Sequence, residues 1–351
     1  MAKTISDIAK EAGVSISTVS RVMNNTKSVS EELKERVYKA IEKNNYTPNI
    51  HAQSLITKKT DIVGVIVPDI SNSVFGAITK GINSICSKQG YTLMVCESGG
   101  VFSRELKLLD ILEERQIDGV IFSGVDVNEE IVNIMKKKEY PIVMVTQEAN
   151  VAETPIDTVT HNNVQAMYDM TRFCYEEGHR RIAYLGGPEY DFSSGQLRLQ
   201  GYRKAMKELG LEIPNSYIGE VEFSFQAGYE GMRIMYEESQ ELPTAIVTGG
   251  DLIAIGAIQF LNSRGVHVPE DISVIGFDDL EFATYVRPEL TTVRIPYYEE
   301  GAMAAKLLVD RIENHGQKNY KPVLEYTEHK IIRRGTVQAY KSNCESAAGL
   351  K

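Results

Sequence analysis

The side chains near the N-terminus that could do chemistry are suited to reading polar edges, not to breaking bonds. Ile16, Ser17 and Arg21 stand at the start of a short segment of helical period. Ile16 can cover a thymine methyl, Ser17 can reach a base or a phosphate, and Arg21 can fork onto a guanine. Thr18 and Ser20 suit phosphates, which fix register without carrying sequence information. Ser15 as helix cap and Asn24 at the helix end complete the candidate DNA-binding set. A second set follows apolar, β-branched runs further along: Asp69 and Phe75 after IVGVIV, Asp251 after TAIVTGG, and Asp278 after ISVIGF, with Arg198 opening a helical stretch. Asp and Arg offer paired acceptors and donors for hydroxyls through charged hydrogen bonds. An aromatic ring such as Phe75 suits stacking on the apolar face of a sugar. Each has a plainer use. Asp69 fits a turn or helix cap, Asp279 fits a helix N-cap, and Phe75 fits core.

Catalytic patterns do not emerge. The histidines at 51, 161, 179, 267, 315 and 329 form no HExxH and no triad order. No Gly-Gly pair continues into GxGxxG or a P-loop, and SSGQ at 193–196 lacks the flanks of a nucleophile elbow. Cys86, Cys96, Cys174 and Cys344 form no CxxC pair, so free thiols are expected, with no metal and no cofactor.

The elements that must position these residues come in two kinds. Ile5, Ile8, Ala9 and Ala12 follow helical spacing, Gly13 breaks it, and Ser15 caps a second helix through Met23. Two short helices joined by a turn with Gly make a helix-turn-helix, whose second helix enters the major groove. A third helix, Glu31 to Asn44, starts at Ser30 and is expected to bury Leu33, Val37 and Ile41. NIHAQSLITKKT then reads as a hinge that orders on DNA. On the residues alone, Leu55 is either a minor-groove wedge or a cap on the head's core.

From Ile62 onward strands and helices alternate. IVGVIV, YTLMVC, DGVIF and PIVMV are followed, after a segment near Asp157 to Thr160, by RIAYLG, TAIVT and ISVIGF. That rhythm predicts parallel strands with crossover helices in two similar halves, with ligands at the carboxyl ends of the strands. Two such lobes make a cleft that hinge closure can switch.

Charge separates the parts. Residues 1–60 hold ten Lys/Arg against six Asp/Glu, a net of +4, and the rest hold 28 against 42, a net of -14. A basic head on an acidic body suggests that the head meets a polyanion. The N-terminus has no apolar signal segment and no run approaches a membrane span, so a cytoplasmic place is expected.

The motif D-I-A-x-x-A-G-V-S-x-x-T-V-S-R-V resembles the LacI/GalR family of bacterial repressors. The likeness continues through N-Y-x-P-N, VGVIVPDISNSVF, GHRRIAYLGG, RLQGYRKAM, ISVIGFDDLEFATYVRPELTTVRIPYYEEGAMAAKLL and RRGT, across nearly the whole chain. It implies an α/β fold class: an N-terminal three-helix helix-turn-helix domain plus a two-lobed periplasmic-binding-protein-like body with parallel sheets. The implied domains are 1–47 for DNA, 48–60 as hinge, 61–340 for effector and dimerisation, and 341–351 as tail. It implies a homodimer, or a tetramer, on a pseudo-palindromic operator of double-stranded DNA. Ile16, Ser17 and Arg21 would read bases, and Leu55 matches the family's wedge. Arg198 and Asp278 match positions that hold effector hydroxyls, Phe75 matches a stacking position, and Asp251 adjoins a polar effector contact. The implied function is a repressor of carbohydrate-utilisation genes controlled by a sugar or sugar phosphate. This chain departs from the family at Gly250, where Asn, Ser or Thr is common, and at Asn162, where Asp is common, so the ligand's identity is open.

Tyr298, Glu299, Lys306 and Arg311 resemble the surface on which catabolite-control regulators dock a phosphorylated carrier protein as corepressor. Lys306 stands where that branch tends to have Arg, and Lys lacks the bidentate fork. The remaining rivals are a sugar-binding protein with no DNA role and an enzyme on the α/β body.

Overall fold

The computed structural model describes residues 3–24, 29–44, 46, 59–151, 155–314 and 321–340. The wedge candidate Leu55, most of the hinge and the tail lie outside the described residues. The chain divides between Thr60 and Asp61 into two compact units.

Among its described residues the first unit has three helices: α1 (Ile5–Ala12), α2 (Ile16–Asn24) and α3 (Glu31–Lys43). Thr4 starts α1. Its backbone N–H donates to the Asp7 carboxylate at 2.9 Å, and its hydroxyl accepts the Asp7 N–H at 3.4 Å. This reciprocal cap satisfies two orphan donors. Gly13 ends α1 at φ 64°, a conformation that glycine adopts without a Cβ penalty. The Ser15 hydroxyl accepts the Thr18 N–H at 3.1 Å and so starts α2. Ser30 precedes α3 but makes no side-chain cap bond. Ile8, Ala12, Val19, Val22, Val37 and Ala40 close the core, while Leu33 and Ile41 are only half-buried. Arg36 donates to the Ala12 carbonyl at 2.6 Å and so fastens α3 to the end of α1.

The second unit has two six-stranded sheets. The first takes β1 (Ile62–Val67), β2 (Thr92–Glu97), β3 (Gly119–Phe122), β4 (Ile142–Val145), β5 (Asp157–His161) and β11 (Leu324–Thr327), in the order β11-β5-β4-β3-β1-β2. The second takes β6 (Ile182–Gly186), β7 (Ile218–Glu220), β8 (Ala245–Thr248), β9 (Ser273–Asp278), β10 (Thr291–Arg294) and β12 (Lys330–Ile332), in the order β12-β10-β9-β8-β6-β7. All pairs are parallel except β10–β12. Central strands such as β3, β4 and β8 are buried throughout, which is why they read as unbroken apolar runs.

The helices are α4 (Ser73–Cys86), α5 (Phe102–Glu114), α6 (Glu129–Met135), α7 (Asn163–Glu176), α8 (Arg198–Glu208), α9 (Phe225–Glu238), α10 (Asp251–Ser263) and α11 (Tyr297–Glu313). The chain passes between the lobes three times: from β5 into α7, from β10 into α11, and from β11 into β12. A last helix, α11, therefore returns to pack on α4 in the first lobe. Glycines allow this contact. A Cβ on Gly81 would lie 2.0 Å from the Tyr298 carbonyl oxygen, and one on Gly301 would lie 2.2 Å from that of Ile78.

In an open helix, Gly→Ala stabilises by roughly 0.5–1 kcal/mol. Gly81→Ala should reverse that sign, because the backbone of α11 must move, at a cost of about 1–3 kcal/mol. Urea unfolding measures it, and a stabilised variant would contradict the close approach.

Candidate functional site

In the first unit, the residues at the start of α2 present themselves outward. Ile16 is 49% exposed, and Ser17 and Arg21 are exposed beside it. Val19 and Val22, on the opposite side of the helix, are in the core. The period of the helix therefore separates outward positions from packing positions. Ser15, Ser17 and Thr18 share one hydroxyl cluster, with Ser15 Oγ 2.7 Å from Ser17 Oγ and 2.9 Å from Thr18 Oγ1. Ser20 is half-buried. Asn24 is the last residue of α2.

In the second unit, the ends of the parallel strands surround a cavity of about 470 Å³. Sites for small ligands occupy roughly 300–1,000 Å³. Four of the five expected effector residues line it: Asp69, Phe75, Arg198 and Asp278. Asp69 and Phe75 come from the turn after β1 and the first turn of α4. Asp278 ends β9, and Arg198 begins α8.

Asp251 is a correction. It is fully buried and lies outside the cavity lining. Its carboxylate accepts the Thr292 hydroxyl at 2.5 Å and the Leu280 N–H at 2.6 Å. It thus ties α10 to β10 and to the turn after β9, one layer behind Asp278. A Cβ on Gly276 would lie 2.2 Å from Asp251 Oδ1, so this strand position leaves room for the carboxylate. Asp279 is not a helix cap either: it pairs with Arg294 and Arg334, each at 2.6 Å. Asp69 does have the plainer use beside its place in the cavity, since Oδ1 accepts the Ser71 N–H at 2.8 Å. Asn162 caps α7 by accepting the Gln165 N–H. Arg311 is engaged with the buried Asp157 at 2.8 Å, which commits the arginine of the surface considered for a protein corepressor.

Arg198 is 3% exposed and held on three sides. Nε donates to Asn163 Oδ1 at 2.8 Å, Nη1 donates to the Gly249 carbonyl at 2.6 Å, and the guanidinium lies 3.8 Å over the Phe277 ring. The Tyr297 hydroxyl donates to Asp278 Oδ1 at 2.6 Å. Asp278 has φ 110° and Asp279 has φ 57°. Side-chain-bearing residues seldom adopt such angles, and they cluster at ligand sites.

Burial raises the Asp278 pKa, with Arg198 and then Tyr297 acting against it. Burial and then the Asp278 charge raise that of Asp251 well above the usual carboxylate range. Asp191 is pushed up to about 6 by burial, although the Ser194 N–H and the Arg198 charge pull it down.

Residue-type patterns did not single out several lining residues: Gln147, His161, Asp191, Glu222, Phe223 and Tyr297. His161 ends β5, so the same strand-end rule that found Asp278 would have found it. Asp191 precedes a turn of π-helix over Phe192–Leu197, which no apolar period announces. Glu222 and Phe223 follow a three-residue, half-exposed strand.

Behind the cavity wall, Glu105 is 2% exposed and its Oε1 has no hydrogen-bond partner. Burial pushes its pKa up to about 7, against hydrogen bonds from the Val125 backbone and the Ser98 hydroxyl. A carboxyl raised in the folded state binds its proton more tightly there than in the unfolded chain. Its contribution therefore falls as pH rises from about 4.5 to about 7 and is flat above that. Glu105→Gln should remove that slope. The stability of the variant relative to the parent should rise across this window by roughly 3 kcal/mol at most. Unfolding curves measured from pH 4.5 to 8 test this, and parallel pH profiles would refute the shifted titration.

Among the described residues no helix is long and apolar enough to cross a membrane. Residues 4–49 match the family model of bacterial regulatory proteins of the lacI family, and residues 171–337 match that of a periplasmic binding protein-like domain. The catabolite control protein A of Priestia megaterium is 37% identical over 305 residues, covering 87% of this chain and 91% of that protein. The Lac repressor dimer bound to operator and the anti-inducer ONPF aligns with a TM-score of 0.85 at 25% identity, over 97% of this chain and all of that one. The complex of the transcriptional regulator CelR with cellobiose aligns with a TM-score of 0.72 at 28% identity, over 95% and 99% of the two chains.

Proposed function

Because this chain belongs to the lacI family of bacterial regulatory proteins, we propose that it is a homodimeric repressor of carbohydrate-utilisation genes, released or engaged by a saccharide bound in the cavity of its second unit. It is a DNA-binding transcriptional regulator and not an enzyme. The observation that carries the ligand reading is the fixed Arg198 beside Asp278 at the meeting of the two lobes. A saccharide offers donors and acceptors on every carbon, and this pair supplies both in charged form. Phe75 supplies an apolar face nearby. The complex of CelR with cellobiose is a structural relative whose ligand is of this class.

Residues 1–47 serve as the DNA-binding domain, 48–60 as hinge, and 61–340 as the effector and dimerisation domain, within the cytoplasm. Net positive charge brings the head to the duplex. The start of α2 enters the major groove, where Ile16, Ser17 and Arg21 read base edges and Ser15, Thr18, Ser20 and Asn24 hold the backbone. Leu55 wedges the minor groove between half-sites. A two-fold dimer matches a pseudo-palindromic operator. A ligand bridging the lobes biases their closure, and binding at the cavity and at DNA must then affect each other reciprocally.

Selection of purified full-length protein against a random duplex library tests the regulator directly. A pseudo-palindrome should be enriched, and failure to enrich any sequence at low salt, with and without saccharides, would overturn the reading. On the selected operator, Arg21→Ala should lose about 1–3 kcal/mol of discrimination at the base pair it contacts. Its binding to unrelated duplex should change far less. Arg198→Ala should keep its operator affinity but lose the response to saccharide. Fluorescence anisotropy distinguishes the two effects.

A further inference from the structure

Resting on the reading of the cavity as an effector site, we propose that it selects an unphosphorylated saccharide and rejects phosphorylated ones. The charges lining it decide this. Asp69, Glu97, Asp191, Glu222 and Asp278 face the cavity, against the single guanidinium of Arg198 and the imidazole of His161. Among the described residues none of these five carboxylates has a basic group within ion-pair distance. Arg198 is already partly committed: Nε donates to Asn163, one N–H of Nη1 donates to Gly249, and its face lies over Phe277, so one guanidinium with its remaining N–H groups stands against five carboxylates.

Phosphate sites in proteins use clustered Arg and Lys or free N–H groups at helix N-termini. At three of the helix starts around this cavity a side chain already takes one of the free N–H groups. Asn72 takes the Val74 N–H at the start of α4 at 3.0 Å. Asp191 takes the Ser194 N–H in the π turn at 2.8 Å. Ser224 takes the Ala227 N–H at the start of α9 at 3.1 Å. Asp69 stands a few residues before α4 and Glu222 a few before α9. A dianion entering there meets like charge where it would need donors.

A separate observation points the same way. Gln147 is 6% exposed, lines the cavity, and its Oε1 has no hydrogen-bond partner. A ligand hydroxyl can donate to that oxygen, whereas a phosphate dianion placed there is an acceptor only and cannot. Asp278 and Asp191 also retain acceptor capacity toward ligand hydroxyls.

Isothermal titration of the full-length protein with matched pairs tests this: ribose with ribose 5-phosphate, glucose with glucose 6-phosphate, and cellobiose with its 6′-phosphate. The expected result is that a free sugar binds and its phosphate binds at least 30-fold more weakly at 50 mM salt. The gap should narrow at 500 mM, where charge is screened. The double variant Glu97→Gln, Glu222→Gln should narrow it as well. A phosphorylated member that binds as tightly as its free sugar, or more tightly, overturns this inference alone. Silence from every pair removes the saccharide reading beneath it too.

Discussion

The second unit depends on one buried carboxyl group that joins its three crossings. Glu300 is wholly buried in the first turn of α11, and its Oε1 lies 3.0 Å from His161 Nδ1 and accepts the Thr327 hydroxyl at 2.6 Å. Those three residues mark the three places where the chain passes between the lobes. His161 ends β5, Glu300 follows the exit from β10, and Thr327 ends β11. A buried carboxyl oxygen is costly without partners, and Oε1 of Glu300 finds one at each of the other two crossings, while Oε2 has none. The joint is therefore a polar knot beside an apolar core that runs through both lobes. The same knot reaches the cavity. His161 Nε2 meets Asn163 Oδ1 at 3.1 Å, the same oxygen accepts from Arg198, and Tyr297, beside the knot, donates to Asp278. The proposed ligand contact at Arg198 and Asp278 would act on side chains bonded to the lobe crossings, which would give the proposed coupling a physical route, a two-lobed closure biased at its pivot.

The sheets were legible because their chemistry is local. IVGVIV is β1 residue for residue, and the other apolar runs match their strands to within a residue. The crossings were illegible for the opposite reason. β11 reads LEYT, a half-exposed edge strand that finds its partner β5 across more than 150 residues of sequence. Nothing in its own four residues says which sheet it joins. α7 is hard to read because NVQAMYDMTRFCYE mixes polar and apolar residues without a sharp stripe, although Met167, Met170 and Cys174 are all buried. Of the site, Arg198, Asp278, Asp69 and Phe75 were reachable through strand ends and family likeness. Asp251 shows the limit of that rule, because it begins a helix at the right place and turns inward to the Thr292 hydroxyl and the Leu280 N–H, in room that Gly276 leaves.

The head is held by a different kind of force. Its core is seven small or branched side chains, and two helix starts are stitched by hydroxyl or carboxylate caps. A core this small contributes little stability on its own. Capping bonds, each about 1 kcal/mol, and the Arg36 clamp on the Ala12 carbonyl are thus a larger share of what keeps α1 and α2 at their angle. The angle matters because it decides which side of α2 faces outward. Ile16 can remain half exposed at a recognition position only while Val19 and Val22 are fixed inward.

Strain around β9 follows from the same division between stability and use. Asp278 and Asp279 are consecutive residues at positive φ, and Asp251, Asp278 and Asp279 crowd three carboxyl groups into one corner. Each such backbone conformation costs about 1–3 kcal/mol, and burial and then the neighbouring Asp278 charge raise the pKa of Asp251. A fold selected for stability alone would place small neutral residues there. The corner persists because rigid structure surrounds it: Asp279 is locked by Arg294 and Arg334, and Asp251 by Thr292 and Leu280. Only Asp278 is left to face the cavity, steadied by one tyrosine hydroxyl. Two of the three acids serve to aim the third. The cost of the corner is the cost of holding one acceptor at a fixed place beside Arg198, before any ligand arrives, so that binding need not meet that ordering cost itself.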